Sequence, residues 1–219
     1  MTPLILVVGN KNYSSWSMRP WLVLRQAGIS FEEVRIPLYC PGAEAELAKW
    51  SPSGKVPALH DGEIRVWDSL AICETLHERF PDKQLWPAAA AARAVARSVS
   101  AEMHAGFAAL RRDMSMNIRA RRPGQGRTPE SLADIERILA IWVDCRARFG
   151  AGGDFLFGQF SIADAMYAPV VLRFQTYGVA LTGAAKAYAD AVRALPAVQE
   201  WVADGVAETE RIAAFERDE

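Results

Sequence analysis

A run of hydroxyls, Tyr13-Ser14-Ser15-Trp16-Ser17, stands just ahead of a proline, Pro20. Proline lacks an N–H and suits only the first turn of a helix. The spacing therefore predicts a helix starting near Trp16 or Ser17, with Ser14 and Ser15 in the loop at its positive end. Hydroxyls placed there cap the helix or donate to an anion held at its N-terminus. A second informative run spans Ser51 to Ser69 and contains Lys55-Val56-Pro57 and Trp67-Asp68-Ser69. Pro57 opens a short apolar strand. A proline at this position marks a rigid turn and often a cis bond. The turn leaves the backbone N–H and C=O of Val56 open to a partner outside the sheet. Ser69 begins the next helix, whose first amides are free for an anion. One edge for a peptide and one socket for a carboxylate describe a small acidic peptide ligand.

The elements that position these groups follow from periodicity. Leu4 to Val8 is a continuous apolar run and reads as a buried strand. The helix after the serine loop stops at Gly28, and Phe31 to Ile36 is a second strand. Strand, helix, strand implies a parallel pair with a right-handed crossover. Ala43 to Trp50 is a short helix. The residues from Val56 to Trp67 form an antiparallel hairpin around Asp61-Gly62. Ser69 to Arg79 is a helix, and Phe80 to Pro87 is a linker with two prolines. After Pro87 no strand is expected. Val95, Val99, Met103, Phe107, Leu110 and Met114 step by three or four and predict one face of a long helix. Leu132 to Phe149 is another. Ser161-Ile162-Ala163-Asp164 resembles a capping box ahead of a buried helix through Phe174. Two more helices are split at Pro196. The expected boundaries are 1–80 for an α/β module and 88–219 for an all-α module.

Bulk properties exclude several classes. Over 219 residues, hydrophobic residues make up 51% and the net charge is −1. That composition supports a substantial core and lacks the basic bias of a nucleic-acid scaffold. No apolar run is long enough for a membrane helix. Met1-Thr2-Pro3-Leu4 lacks the basic start of a secretion signal. Three scattered cysteines (Cys40, Cys73, Cys145) form no zinc pattern and read as reduced thiols in a cytoplasmic protein. His60, His77 and His104 show no ligand spacing, so no metal is expected.

Together these residues resemble a cytosolic glutathione transferase over nearly the whole chain. Four motifs carry the likeness. Tyr13-Ser14-Ser15-Trp16-Ser17-Met18-Arg19 is similar to the serine-type active-site signature, closest to the zeta class. Lys55-Val56-Pro57 is similar to the family's cis-proline turn. Trp67-Asp68-Ser69 is similar to the pair that holds the γ-glutamyl end of glutathione. Gly158-x-x-Ser161-x-x-Asp164 is similar to the C-terminal helix cap. The resemblance implies a thioredoxin-like N-terminal domain, an all-helical C-terminal domain, glutathione as co-substrate, a small electrophile as second substrate, and a twofold homodimer of bacterial type. The zeta signature carries Cys where this chain has Trp16, and Val-Arg where it has Pro20-Trp21. These departures weaken any transfer of the zeta isomerase activity and leave glutathione binding intact; within enzymes the alternative is a glutathione-dependent isomerase or peroxidase, and outside them a non-catalytic binding protein.

The resemblance also implies roles. Ser14 is the hydroxyl donor to the sulfur, with Ser15 and Ser17 as close rivals and Tyr13 a weaker one. Val56 meets the cysteinyl unit, Ser69 the γ-glutamyl carboxylate, Asp68 its amino group and Lys55 the glycyl carboxylate. Arg19 reads as structural. Met103, Phe107, Met114 and Met116 are candidates for the wall of the electrophile pocket, with half or more of them read as core instead. Apart from the resemblance, Arg111, Arg112, Arg119, Arg121, Arg122 and Arg127 read as a solvated helix end and loop, with the sharper alternative that some of them face the cleft and favour an acidic second substrate.

Overall fold

The computed structural model describes residues 3–216. Met1 and Thr2, on which the reading of the N-terminus partly rests, lie outside them, as do the last three residues of the expected helical module. The order of elements begins β1 (Leu4–Val8), α1 (Ser15–Gln26), β2 (Phe31–Arg35), α2 (Ala43–Trp50), β3 (Ala58–Asp61), β4 (Ile64–Trp67) and α3 (Ser69–Arg79). It continues with α4 (Ala90–Ala105), α5 (Ala108–Asp113), α6 (Pro129–Phe149), α7 (Ile162–Tyr177), α8 (Gly183–Ala194) and α9 (Pro196–Ala207). A thioredoxin-like sheet-and-helix domain is thus followed by a helical one.

The four-stranded sheet runs β2-β1-β3-β4. β1 pairs parallel with β2, and β3 pairs antiparallel with both β1 and β4. Side chains of β1 alternate between two faces. Leu4, Leu6 and Val8 enter the main core, while Val7 joins Ile36, Leu47 and Ala58 in a smaller one beneath α2. The main core is continuous across both domains. At its centre lies α7, a helix buried on all sides, packed against α1, α4 and α8. The Asp164 carboxylate accepts the Ser161 amide at 2.8 Å and the Leu156 amide at 3.0 Å, so the start of α7 is satisfied as the motif predicted.

Two boundaries differ from expectation. Ser15 is the first residue of α1, and Ser14 alone is its N-cap. The expected long helix through Met114 is two helices. α4 ends at Ala105 with Gly106 as its C-cap, Phe107 turns at φ 59°, and α5 starts anew. A Cβ on Gly106 would stand 2.8 Å from the Glu102 carbonyl oxygen, so glycine permits the close approach there.

Candidate functional site

The sheet register gathers the predicted residues at one edge. Val7 stands opposite Ala58, and Ala58 opposite Trp67. The end of β1, the start of β3 and the end of β4 therefore open on the same side. This is where α/β sheets bind ligands, outside the carboxyl end of the parallel strand. A Cβ added to Gly9 would lie 3.1 Å from a methyl of Val56, so the serine loop and the proline turn touch.

The Val56–Pro57 bond is cis. Pro57 is buried and Val56 half-buried. Among the described residues neither the N–H nor the C=O of Val56 has a hydrogen-bond partner. Asp68 is the N-cap of α3 at φ 78°, a left-handed conformation uncommon outside glycine. Its Oδ1 accepts the Leu70 amide at 2.9 Å and the Ala71 amide at 3.2 Å. Its Oδ2 lies 3.1 Å from His104 Nε2, an ion pair when the imidazole is protonated. Ser69 is 1% exposed, yet its hydroxyl has no partner. Its amide, in the first helical turn, is also free among the described residues. Lys55 is exposed.

The serines are arranged differently from one another. Ser14 Oγ–H donates to Ser17 Oγ at 2.7 Å, and Ser17 Oγ also accepts the Gly9 amide at 3.1 Å. Ser17 is wholly buried. Ser15 Oγ accepts from Arg173 Nη2 at 3.1 Å. Tyr13 is committed to the chain's C-terminal segment. Its hydroxyl donates to Glu216 and accepts from Arg119 at 2.8 Å. Burial and the Glu216 bond push its phenol up.

Arginine dominates the seam between the domains. Trp16 is stacked by Arg19 at 4.1 Å and Arg111 at 4.7 Å, with the His104 ring edge-on at 5.3 Å. Arg19 and Arg173 are buried. Burial, then Arg111 and Arg173, push Arg19 down to about 9; burial, then Arg111, push Arg173 down to about 10. Both keep their protons at neutral pH. Their partners are main-chain carbonyls, of Met166 for Arg19 and Met114 for Arg173. Arg19 Nη1 has no partner. Cys73 is buried beside Arg19, and burial pushes its thiol well up, so it stays neutral.

Other expectations are corrected. Met103, Phe107, Met114 and Met116 are in the main core; Met114 has no exposed surface and offers none to a ligand. Helical spacing alone does not separate a core face from a cleft wall. Of the six arginines of the basic cluster, Arg111 faces Trp16. Arg112 pairs with Asp113. Arg119 and Arg122 bind the C-terminal segment, and Arg121 and Arg127 bind nearby carbonyls. The sequence reading missed Arg173, His104 and Glu208. Arg173 did carry a signal, a lone charge in the apolar run Val170-Val171-Leu172-Arg173-Phe174.

The described residues contain no cluster of His, Cys, Asp or Glu suited to a metal ion, and no helix long and apolar enough to cross a membrane.

Comparison with known proteins agrees with the fold. Residues 13–79 match the glutathione S-transferase N-terminal domain and residues 93–204 the glutathione S-transferase C-terminal domain. A stringent starvation protein A homolog of Haemophilus ducreyi is 27% identical over 165 residues, 74% of this chain and 72% of the relative. A probable maleylacetoacetate isomerase of Caenorhabditis elegans is 34% identical over 97 residues, 44% of each chain. A Burkholderia glutathione transferase homolog, solved with bound glutathione, superposes with a TM-score of 0.70 at 24% identity, covering 93% of this chain and 98% of that one. The chain belongs to the glutathione S-transferase family.

Proposed function

We propose that this protein binds glutathione at the turn that opens β3 and adds its thiolate to a small electrophile. The observation that carries the reading is Ser69. A side chain 1% exposed keeps both its hydroxyl and its helix-terminal amide unpartnered. Buried polar groups left unmade are costly. A γ-glutamyl carboxylate seated there satisfies both. Asp68 beside it meets the ligand's ammonium, the open backbone of Val56 pairs with the cysteinyl unit, and Lys55 reaches the glycyl carboxylate.

The tripeptide's sulfur then points at the serines that begin α1. A free thiol has a pKa near about 8.5 and is mostly protonated at neutral pH. Lowering it by about 2 units takes about 2.7 kcal/mol. One hydroxyl donating to a charged acceptor supplies about 1.5–3 kcal/mol, and the start of α1 adds up to about 1 kcal/mol. The proton leaves to solvent, and the thiolate attacks the electrophilic carbon. The family resemblance points to Ser14 as the donor, with Ser15 and Ser17 as rivals. In substitution the leaving group departs; in isomerisation the sulfur adds to a cis double bond and is later eliminated.

Relatives named zeta-class transferase and maleylacetoacetate isomerase favour the isomerase as second reading. The relatives named stringent starvation protein carry no reaction in their name and match over 165 residues, so a non-catalytic role on the same scaffold is the reading outside enzymes. A twofold dimer fits the exposed Ile64 and Trp67 on the edge strand β4.

The test is calorimetric titration of glutathione, followed by turnover of a chlorinated aromatic and of a cis-configured unsaturated keto acid. Heat on titration with turnover of the aromatic is expected. Turnover of the keto acid alone selects the isomerase. Binding without turnover of either selects the non-catalytic role. Absence of heat removes the reading.

A further inference from the structure

We propose that His104, at the end of α4, regulates the ammonium subsite for glutathione: a protonated imidazole occupies the Asp68 carboxylate that the ligand's ammonium needs, so affinity for the tripeptide falls with acidity. This rests on the glutathione reading above, in which Asp68 meets that ammonium.

Asp68 has one oxygen to offer. Oδ1 accepts the Leu70 amide at 2.9 Å and the Ala71 amide at 3.2 Å. Oδ2 takes neither amide and lies 3.1 Å from His104 Nε2. An ammonium on Asp68 therefore comes to the oxygen that His104 already faces. The imidazole is held in that position. His104 stands in the last turn of α4. Arg111 donates to the His104 carbonyl at 3.3 Å and to the Met103 carbonyl beside it. Trp16 of α1 meets the ring edge-on at 5.3 Å. Nδ1 is buried with no partner, so the ring meets charge through Nε2.

An imidazole changes charge between about pH 5 and pH 8, whereas a guanidinium keeps its proton. The charged groups around His104 come from five helices. Arg19 of α1 lies over the Trp16 ring at 4.1 Å and Arg111 of α5 at 4.7 Å. Arg173 of α7 is spent on Ser15 and the Met114 carbonyl. Glu102 of α4 is spent on Arg137 of α6. Asp68 of α3 and the carbonyl end of α4 favour a proton on His104, and the arginines oppose it. A neutral imidazole leaves the charge of Oδ2 to the ligand. An imidazolium pairs with that oxygen and repels an ammonium brought to the same place.

The γ-glutamyl end of the ligand carries both signs, a carboxylate for Ser69 and an ammonium for Asp68. A tripeptide without the ammonium has nothing to lose to His104. The His104 and Asp68 side chains are 28% and 43% exposed, so water reaches the pair and screens it. The effect is therefore a graded weakening of binding and not its abolition.

The experiment is calorimetric titration of S-methylglutathione at about pH 5.5 and about pH 7.5 into the wild type and His104→Gln. The methyl group removes the thiol, so no sulfur titration contributes. A second ligand, the same molecule with glutaryl in place of γ-glutamyl, keeps the carboxylate and lacks the ammonium. Wild-type affinity for S-methylglutathione should be about fivefold weaker at the lower pH, the effect of one unit charge about 4 Å away in water. Affinity for the glutaryl ligand should hold or tighten there. In His104→Gln, whose amide takes no proton, both affinities should be flat. Should His104→Gln fail to fold, the two ligands on the wild type still decide. A wild-type affinity independent of pH, a fall shared by the glutaryl ligand, or a fall undiminished in His104→Gln overturns the proposal and leaves the glutathione reading standing. A wild type that takes up neither glutathione nor its S-methyl derivative at about pH 7.5 overturns both.

Discussion

At the residue scale the site is built from groups left unfinished. Ser69 carries no hydrogen bond on its hydroxyl in the free protein. Ser69→Ala should therefore leave thermal stability nearly unchanged while weakening glutathione binding by about 10-fold or more, the loss of one hydrogen bond to a charged group. Calorimetry beside a melting curve separates these. A fall in melting temperature with unchanged affinity would make the hydroxyl structural. Asp164 is the opposite case, finished on every side. It accepts from Ser161 Oγ at 3.0 Å besides the two amides, but burial outweighs these bonds and pushes its carboxyl up to about 6. The native state then holds a proton, between about pH 4 and about pH 6, that the unfolded chain has released. The contribution of Asp164 is complete below its unfolded pKa and falls as pH rises through the folded value, on the order of 3 kcal/mol in all. Urea unfolding of the wild type and Asp164→Asn across that window checks it. The stability difference should move against the wild type as pH rises and be flat above about 7. A difference independent of pH would mean that the carboxylate is ionised throughout.

At the element scale, the close approach of α9 to the loop before α1 is a matter of one missing methyl. A Cβ on Gly205 would lie 3.1 Å from the Asn12 amide nitrogen and 3.2 Å from the Lys11 carbonyl carbon. Replacing a helical glycine by alanine ordinarily gains up to about 1 kcal/mol. Here backbone atoms must give way, which costs about 1–3 kcal/mol. Gly205→Ala should thus be destabilising by about 1 kcal/mol in urea unfolding, and a stabilised variant would show that α9 has room to shift. Most elements of this kind were legible in the sequence. The apolar run of β1, the Asp61-Gly62 turn and the Ser161–Asp164 cap are local patterns, and local chemistry decides them. The break between α4 and α5 was not, because Phe107, Leu110 and Met114 keep the helical spacing across it and are all buried. Periodicity reports burial, which the break preserves. The same limit applies to the site. Ser14, Pro57 and Ser69 sit in short motifs and were legible as such. The bonds from Arg173 to Ser15, His104 to Asp68 and Glu208 to Lys11 join residues far apart in the chain. No spacing rule reaches them, and only the apolar setting of Arg173 hinted at a partner.

At the scale of the whole molecule, the C-terminal segment closes back on the chain's beginning. The Glu208 side chain is 7% exposed. Its two oxygens accept the backbone amides of Lys11 at 2.7 Å and Asn12 at 3.1 Å. Arg119 ties the carbonyls of Glu208 and Glu210 to the Tyr13 hydroxyl. The Phe215 ring rests 5.7 Å from Tyr13 and 6.1 Å from Tyr39. These contacts hold the loop that delivers Ser14 and Ser15 to the start of α1. A carboxylate accepting two amides in a partly dry site is worth about 1.5–3 kcal/mol per bond. Removing it leaves both donors unpaired. Glu208→Ala should therefore speed hydrogen exchange at the Lys11 and Asn12 amides by about 10- to 100-fold through local opening, with the α7 amides unchanged. Glutathione affinity should hold, since Val56 and Ser69 lie on other segments. Turnover should fall, because the hydroxyl facing the sulfur is no longer fixed before the substrate arrives. Exchange at wild-type rates would mean that the Trp201 bond to the Lys11 carbonyl at 3.0 Å and the Asn12 bond to Asn117 at 2.9 Å hold the loop without the segment. The order of the serine loop would then belong to α9 and the α5–α6 connection, and turnover should survive the loss of Glu208.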